Sequence, residues 1–432
     1  MNDMRLARSI AALLLAATAL PAAAQDVAPA QVAAMKKLMA SKSFATARAS
    51  LDGDYDRIIK DVITLTEIAA PPFKEETRAR AYLEMLRAEG LADVEIDAEG
   101  NAMGLCKGTG GGPLLVIAAH LDTVFPAGTD VKVRREGNKL LAPGVGDDTC
   151  SLPVLLAFIR AMKAADISTK SDILFVGNVG EEGPGDLRGV RYLLTKGKYK
   201  DVDKQFISFE PGRARVTNAG VGSKRYKVIF RGPGGHSLGA FGLVSPAYAM
   251  AAAMVEFGKM PVPTEPRTVY NVGIVEGGTS VNSIPFEMAM TVDMRSESAT
   301  ALQAEKDYLF ALVPKAVTAE NATRSTVKGA ITAEIKAIGD RPVGATPMKS
   351  NIVQTAGAAM AAAGVTPRFG ASSTDSNLPM SIGIPAVTLG SGFETERSHS
   401  LDEALILDRP ETVKHMAIGL ATVLSLAGAS VK

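Results

Sequence analysis

Short apolar runs that alternate with helical segments restrict the fold of this chain more than any other feature. Residues 113–119, 172–179 and 205–209 are apolar and rich in β-branched or aromatic side chains, whereas residues 75–89 and 152–165 have helical spacing. Strands that are buried on both faces have apolar runs of this length, and they occur in parallel sheets covered by helices. The alternation therefore predicts an α/β fold with a mixed, mostly parallel sheet.

A change of pattern near residue 218 indicates that a second domain is inserted into the first. Residues 219–335 combine helical segments with strand-like segments of alternating polarity, which is typical of an α+β unit. The buried pattern returns after residue 335, notably at residues 384–389. We therefore expect a discontinuous main domain of residues 25–218 and 336–432, interrupted by the inserted α+β domain.

The first 24 residues have the pattern of a secretory signal peptide. Arg5 and Arg8 precede the apolar residues 10–20, and Ala22 and Ala24 occupy the small-residue positions of a cleavage site. The apolar stretch is too short to span a bilayer, although an uncleaved anchor or a buried helix is the alternative. We expect cleavage after Ala24, a periplasmic or secreted mature protein, and no membrane contact after cleavage.

Charge and cysteine content exclude some functions and leave one question open. The chain has 47 basic and 46 acidic side chains, a net charge of +1, so a broad positive face for nucleic acid is not expected. Its 4 His and 2 Cys mean that a metal site must rely mainly on carboxylates. Export favours disulfides, and Cys106 and Cys150 could form one bridge or remain two separate thiols.

Imidazole and carboxylate groups follow three of the apolar runs at the point where each run ends. His120 ends the first run, Glu181 and Glu182 follow the second, and Glu210 ends the third. In open α/β sheets, ligand sites lie beyond the carboxyl ends of the strands. The sequence therefore predicts that these groups converge in one crevice.

Three further aspartates extend this set. Asp147 and Asp148 form an acidic turn between glycines and a helical segment, and Asp122 lies two residues after His120. Asp122 could accept the second imidazole N–H of His120 and so set the tautomer that binds metal. Alone, Asp147 and Asp148 could cap a helix, and the glutamate pair at 181 and 182 could lie in a solvated loop. Together, these carboxylates exceed the needs of one zinc ion and suit two.

Five motifs, in order along the chain, resemble those of the di-zinc hydrolases of metallopeptidase family twenty. That family includes glutamate carboxypeptidase, peptidase T, aminoacylase and acetylornithine deacetylase, and the resemblance extends over residues 58–426. The motifs are His120-Leu-Asp-Thr-Val, Gly144-Val-Gly-Asp-Asp, Glu181-Glu-Gly, Phe209-Glu-Pro and His399-Ser-Leu-Asp-Glu403.

The resemblance implies a ligand set, a base and a backbone feature. It implies two Zn²⁺ per subunit, for which Co²⁺ or Mn²⁺ could substitute. It also implies a cis peptide bond between Asp147 and Asp148, and Glu181 as the general base that activates water. The implied ligands are His120 and Glu210 for one ion, Glu182 and His399 for the other, and Asp147 between both.

The inserted domain resembles the lid and dimerisation domain of the same family. The resemblance implies a homodimer formed through residues 219–335, in which His236 reaches the active site of the partner subunit. It also implies that Asn271 and Arg341 hold a free carboxylate of the substrate, although Arg341 could instead form an ordinary salt bridge. The segment Ser372-Ser-Thr-Asp-Ser-Asn377 departs from the family's substrate loop, which leaves the fine specificity open.

These features together predict a zinc-dependent hydrolase of peptide or N-acyl amino acid amide bonds. A carboxypeptidase or deacylase that acts on a substrate with a free carboxylate is favoured. The alternatives are an aminopeptidase for di- or tripeptides and, from another class, a binding protein that kept the fold but lost catalysis. The binding protein should lack a ligand or the base, and the sequence has all of them.

Overall fold

The computed structural model describes residues 27–432, so the predicted signal peptide lies outside the described residues. Within that part of the chain, no helix has the length and apolar character needed to cross a membrane. Cys106 and Cys150 are both free thiols. Of the two alternatives for the cysteines, one bridge or two separate thiols, the structure has two separate thiols.

The described chain begins with four consecutive helices, and strands and further helices follow. The helices are α1 (Pro29–Met39), α2 (Lys42–Gly53), α3 (Tyr55–Thr66), α4 (Glu76–Ala88), α5 (Ser151–Ala164), α6 (Arg188–Thr195), α7 (Pro246–Phe257), α8 (Ala299–Thr323), α9 (Asn351–Ala362), α10 (Asn377–Ser381) and α11 (Arg409–Leu426).

The strands belong to four sheets. They are β1 (Ala92–Ile96), β2 (Ala102–Cys106), β3 (Leu114–His120), β4 (Arg134–Glu136), β5 (Lys139–Leu141), β6 (Ile173–Asn178), β7 (Lys204–Glu210), β8 (Arg215–Gly220), β9 (Gly222–Arg231), β10 (Gly235–His236), β11 (Thr268–Gly277), β12 (Ser283–Ile284), β13 (Glu287–Ser296), β14 (Thr332–Arg341), β15 (Gly344–Ala345), β16 (Arg368–Ser372), β17 (Ala386–Gly390), β18 (Glu394–Glu396) and β19 (Ala404–Ile406).

A nine-stranded mixed sheet forms the centre of the main domain. Its order is β1-β2-β6-β3-β7-β17-β8-β15, and β16 pairs with β8 in parallel. The central strands β6, β3, β7 and β17 are parallel to their neighbours within this group. Because parallel neighbours end at the same edge, the groups that follow β3, β6 and β7 are brought together there.

The buried strands have apolar side chains on both faces because helices cover both faces. Leu115 and Ile117 of β3 pack in a core with residues of α5 and α11. Val116 and Ala118 of the same strand pack in a second core with residues of α6. Successive side chains of a strand point to opposite faces, so the continuous apolar run fills both cores.

The inserted domain has its own sheet and its own core. Strands β11, β13, β9 and β14 form an antiparallel sheet in that order, and α7 and α8 pack against one face of it. Most residues of β11 and β14 are exposed. Because β14 continues to Arg341, this sheet extends beyond residue 335, the boundary expected from the sequence pattern.

The sequence pattern does not predict β14 or α9. The sequence of β14, TAEIKAIGDR, is largely polar because the strand lies at an exposed sheet edge. Helix α9, NIVQTAGAAMAA, is buried on nearly all sides and therefore has no polar face to produce a helical period. Helix α8 has 25 residues and contains Pro314.

The inserted domain also holds a buried carboxyl group. Glu305, on α8, is 2% exposed, and neither of its carboxylate oxygens has a hydrogen-bond partner among residues 27–432. Burial, with a smaller contribution from the negative charge of Asp293, raises the pKa of Glu305 to about 8 from its ordinary value of 4.5. The folded protein therefore binds a proton at this site more tightly than the unfolded chain does.

Replacing Glu305 with glutamine should stabilise the protein at alkaline pH. The pKa of Glu305 is higher in the folded protein than in the unfolded chain, so protonation of this group favours the folded state. That contribution to the free energy of unfolding is fully present below about pH 4.5 and is lost as the pH rises to about 8. We expect Glu305→Gln to exceed the wild-type stability by on the order of a few kcal/mol at alkaline pH, with a smaller difference at acidic pH. Thermal unfolding across this pH range measures the difference.

The matched control is Glu256→Gln, on α7 of the same domain, where the side chain is 56% exposed. This variant should follow the wild-type melting temperature at every pH. A Glu305→Gln variant whose advantage does not grow with pH would contradict the expected linkage.

Candidate metal centre

The predicted ligands meet at the carboxyl edge of the central sheet. His120 and Glu210 are the last residues of β3 and β7, and Glu181 and Glu182 follow the end of β6. The three strands are parallel neighbours, so their ends lie side by side. The loop that carries His399 brings a second imidazole to the same edge.

Asp147 lies between the two imidazole rings. One of its carboxylate oxygens, Oδ1, is 3.0 Å from Nε2 of His120, and the other, Oδ2, is 3.2 Å from Nε2 of His399. Each ring has a further carboxylate beside it. Nε2 of His120 is 3.9 Å from Oε2 of Glu210, and Nε2 of His399 is 2.9 Å from Oε1 of Glu182.

Two overlapping groups have spacings that suit a bound cation. The side chains of His120, Asp147 and Glu182 each offer one ligand atom, and these atoms lie within 4.8 Å of one another. The same is true of His120, Asp148 and Glu210. Imidazole nitrogen and carboxylate oxygen are the ligand types that zinc and related divalent ions bind in hydrolases. The donor set therefore fits a metal centre.

Neighbouring carboxylates favour protons on both imidazole rings. Hydrogen bonds to Asp147 and Glu182 raise the pKa of His399 to about 10. Burial opposes a charge on His120, but its hydrogen bond to Asp147 and the nearby acidic groups raise the pKa of this ring well above the ordinary value. Burial likewise opposes a charge on Asp147, yet its hydrogen bonds to both rings hold its pKa well below the usual range. A divalent cation can replace such protons, since metal ligands bind in their deprotonated forms.

Glu403 holds the turn that carries Asp147. Its buried carboxylate accepts hydrogen bonds from the backbone N–H groups of Gly144, Gly146 and Asp147, at 3.1, 2.9 and 2.8 Å. The peptide bond between Asp147 and Asp148 is cis, which confirms that implication of the family resemblance. The sequence pattern assigns no role to Glu403. Its position as the last residue of the motif that begins at His399 is the feature that could have indicated one.

Asp122 also acts through backbone contacts. Nδ1 of His120 lies 2.9 Å from the backbone oxygen of Asp122, whereas its distance from the carboxylate oxygen Oδ1 is 3.7 Å. The carboxylate instead accepts hydrogen bonds from the backbone N–H groups of Glu181 and Glu182, at 3.1 and 2.8 Å. The acceptor nearest to Nδ1 of His120 is therefore the backbone oxygen of Asp122, and not the carboxylate that the sequence predicts.

Arg341 contacts the predicted general base. Its Nη1 donates to Oε1 of Glu181 at 2.8 Å and to Oγ of Ser373 at 3.1 Å, and its Nη2 donates to the backbone oxygen of Glu181. Burial raises the pKa of Glu181 to about 8, although the positive charge of Arg341 opposes this shift. Arg341 thus forms a buried salt bridge, the alternative to the carboxylate-binding role.

These groups line a cavity of about 850 Å³. The five predicted ligands, the predicted base Glu181 and Arg341 are among the residues that line it. Asn271 and His236 are exposed and do not line it. Nδ1 of His236 accepts hydrogen bonds from the backbone of Leu238 and Gly239, at 3.2 and 3.3 Å. The roles of Asn271 and His236 stay predictions.

Comparison with known proteins identifies the family. A family model described as peptidase family M20/M25/M40 matches residues 116–427, which is most of the chain. The chain belongs to this family. The resemblance inferred from the five motifs is therefore confirmed, and the chain is an enzyme of the metallopeptidase and amidohydrolase type.

Two individual relatives of this M20/M25/M40 chain match only part of it. Carboxypeptidase G2 of Pseudomonas sp. (strain RS-16) is 27% identical over 201 residues, which is 45% of this chain and 47% of that protein. Succinyl-diaminopimelate desuccinylase of Leptothrix cholodnii is 25% identical over 247 residues, which is 52% of this chain and 63% of that protein. The chain thus spans about half to less than two thirds of the length of these relatives.

Solved structures match over a larger part of the chain. The crystal structure of aminopeptidase PepT from Bacillus cereus covers 86% of this chain and 98% of its own, with a TM-score of 0.68 and 22% sequence identity. At this identity the likeness shows the fold alone. It confirms the predicted α/β fold with a mixed sheet.

Proposed function

We propose that this chain is a two-zinc hydrolase that cleaves peptide or N-acyl amino acid amide bonds. The contacts of Asp147 carry the proposal, because its two oxygens face different imidazoles. His120 and Glu210 would hold one ion, His399 and Glu182 would hold the other, and Asp147 would bridge them. When bound, the two ions would lower the pKa of a water molecule and polarise the amide carbonyl.

Glu181 is the residue that we propose as the general base. It accepts the proton of the attacking water and returns it to the leaving nitrogen. Its burial supports this role, since removal from water raises the pKa of a carboxyl group and makes the carboxylate a stronger base. Arg341 and the backbone contacts of Asp122 would keep the Glu181 carboxylate in position.

The proposed substrate has a free carboxylate, so the enzyme would be a carboxypeptidase or deacylase. The similarity to carboxypeptidase G2 and to a desuccinylase supports this choice. The cavity supports it too, because six arginines line its wall and not all of them are paired with a carboxylate. Guanidinium groups bind carboxylates with two parallel hydrogen bonds.

Matched dipeptides should separate this proposal from an aminopeptidase. We expect the zinc-supplied protein to cleave an N-acylated dipeptide. Amidation of the C-terminal carboxylate should lower kcat/KM at least about tenfold, because the amide offers no negative charge to the arginines of the cavity. Chromatography of the products measures both rates, with a chelated sample as the control. Cleavage of the amidated dipeptide with its N-terminus unblocked, and not of the N-acylated one, would instead identify an aminopeptidase.

We also propose that the protein is exported and that it forms a homodimer through the inserted domain. Exposed apolar side chains near His236 support a contact with a second copy, with Leu238 82% and Phe241 90% exposed. In such a dimer His236 would reach the cavity of the partner subunit. Its imidazole would then stabilise the negative charge that develops on the amide oxygen.

A further inference from the structure

Six arginines line the cavity, and four of them are paired with carboxylates. Arg341 is paired with Glu181, and Arg225 and Arg295 share Asp293 at 3.1 and 2.7 Å. Arg213 lies 3.5 Å from Asp408. Among the residues that the structure describes, no carboxylate lies within 4.0 Å of the other two cavity arginines. These two are Arg215 and Arg368.

The two unpaired arginines are neighbours in the sheet. Arg215 is the first residue of β8, Arg368 is the first residue of β16, and the parallel ladder pairs them directly. Paired residues of adjacent strands direct their side chains to the same face of a sheet. The register thus places the two arginine residues side by side in the sheet, and both are exposed and line the cavity.

The sheet topology places this pair at the edge that carries the metal centre. Strand β8 runs antiparallel to β17 and begins near its end, since Val216 pairs with Leu389. On the other side of β17, Gly390 pairs with Glu210 of β7. The backbone of Arg215 therefore lies about two strand spacings, or ~10 Å, from the backbone of Glu210. Arg368 lies one strand further along the same edge.

The surroundings of the two arginines bear on what they could bind. Two like charges on adjacent strands repel each other when no counter-charge lies beside them. Nη2 of Arg215 donates to the backbone oxygen of Ala371 at 2.5 Å, which orients this guanidinium and leaves its other N–H groups available. A carboxylate placed between the two guanidinium groups would accept hydrogen bonds from both and neutralise part of the repulsion.

We propose that Arg215 and Arg368 form a subsite for a second carboxylate of the substrate. The preferred substrates would then be peptides or N-acyl amino acids that carry two anionic groups, one at the metal centre and one at these two arginines. This inference rests on the proposed hydrolase function, because it names the substrate class of the same cavity. It assigns Arg215 and Arg368 to substrate selection rather than to bond cleavage.

Calorimetric titration with dicarboxylates tests the subsite without requiring turnover. The zinc-supplied protein is titrated with unbranched dicarboxylates from succinate to suberate and with the monoamide of each. We expect at least one length to bind about tenfold or more tightly than its monoamide, because only the dicarboxylate offers a charge to both sites. In the double variant Arg215→Gln/Arg368→Gln this preference should fall to about twofold or less.

Two further variants identify the source of the preference. The Arg215→Lys/Arg368→Lys protein keeps the charges and should retain part of it. Arg48→Gln removes an exposed arginine on α2, outside the cavity, and should retain all of it. The proposal is overturned if no dicarboxylate is preferred, or if the preference survives in the Arg215→Gln/Arg368→Gln variant. If no amide substrate is hydrolysed while the preference is present and depends on these arginines, the proposed function fails and the subsite stands.

Discussion

Glu181→Gln is expected to lower kcat by about 10³-fold or more while the fold and the metal content stay unchanged. Glutamine has the shape of glutamate and can still accept the hydrogen bond from Nη1 of Arg341. It cannot take a proton from water or return one to the leaving nitrogen. The loss of proton transfer in both directions accounts for the size of the expected effect.

Steady-state kinetics on the best dipeptide, together with metal analysis and thermal unfolding, measures this outcome. The control is Glu84→Gln, a change of the same kind on the exposed face of α4, which should leave kcat within about twofold of wild type. An active Glu181→Gln protein, with kcat within tenfold of wild type, would show that another group transfers the proton. A variant that is inactive because it has lost its metal would not match the expected result either.

Asp147→Asn is expected to remove bound metal and activity together. The Asp147 carboxylate contacts both imidazoles, so a neutral amide at this position weakens the binding of both ions at once. We expect two zinc ions per chain in the wild-type protein, one or none in the variant, and a loss of kcat/KM of about 10³-fold or more. Elemental analysis after dialysis measures the metal content, and the dipeptide assay measures the activity.

Removal of the metal from the wild-type protein provides a parallel test. A chelator should abolish hydrolysis, and added zinc should restore it, whereas zinc should not restore Asp147→Asn to the wild-type rate. Asp130→Asn, an exposed aspartate outside the cavity, is the matched control and should keep both ions. If Asp147→Asn binds two ions and remains active, Asp147 does not bridge the metals.

The metal centre could be located from the sequence to a large extent. Each proposed ligand lies at or just after the end of a strand, or in a short motif, and both features are local properties of the chain. His120 and Glu210 end apolar runs that are long enough to identify as buried strands. The parallel arrangement of such strands then brings their ends together without further information.

The partners of these side chains could not be predicted in the same way. Asp122 lies two residues from His120, so the sequence indicates a contact between their side chains, but the carboxylate binds the backbone of Glu181 and Glu182 instead. Glu403 contacts a turn more than 250 positions earlier in the chain. Hydrogen-bond direction depends on the path of the backbone in three dimensions, and residue order does not specify it.

The sequence by itself determined the strands of the sheet core and the candidate ligand types, because apolar periodicity and side-chain chemistry are local. Tertiary structure decided that Arg341 faces Glu181 and that Arg215 and Arg368 stand side by side. These two arginines are more than 150 positions apart and become neighbours only through the pairing of β16 with β8. Whether a charged side chain meets a counter-charge or a like charge depends on strand order and direction, which only the folded chain defines.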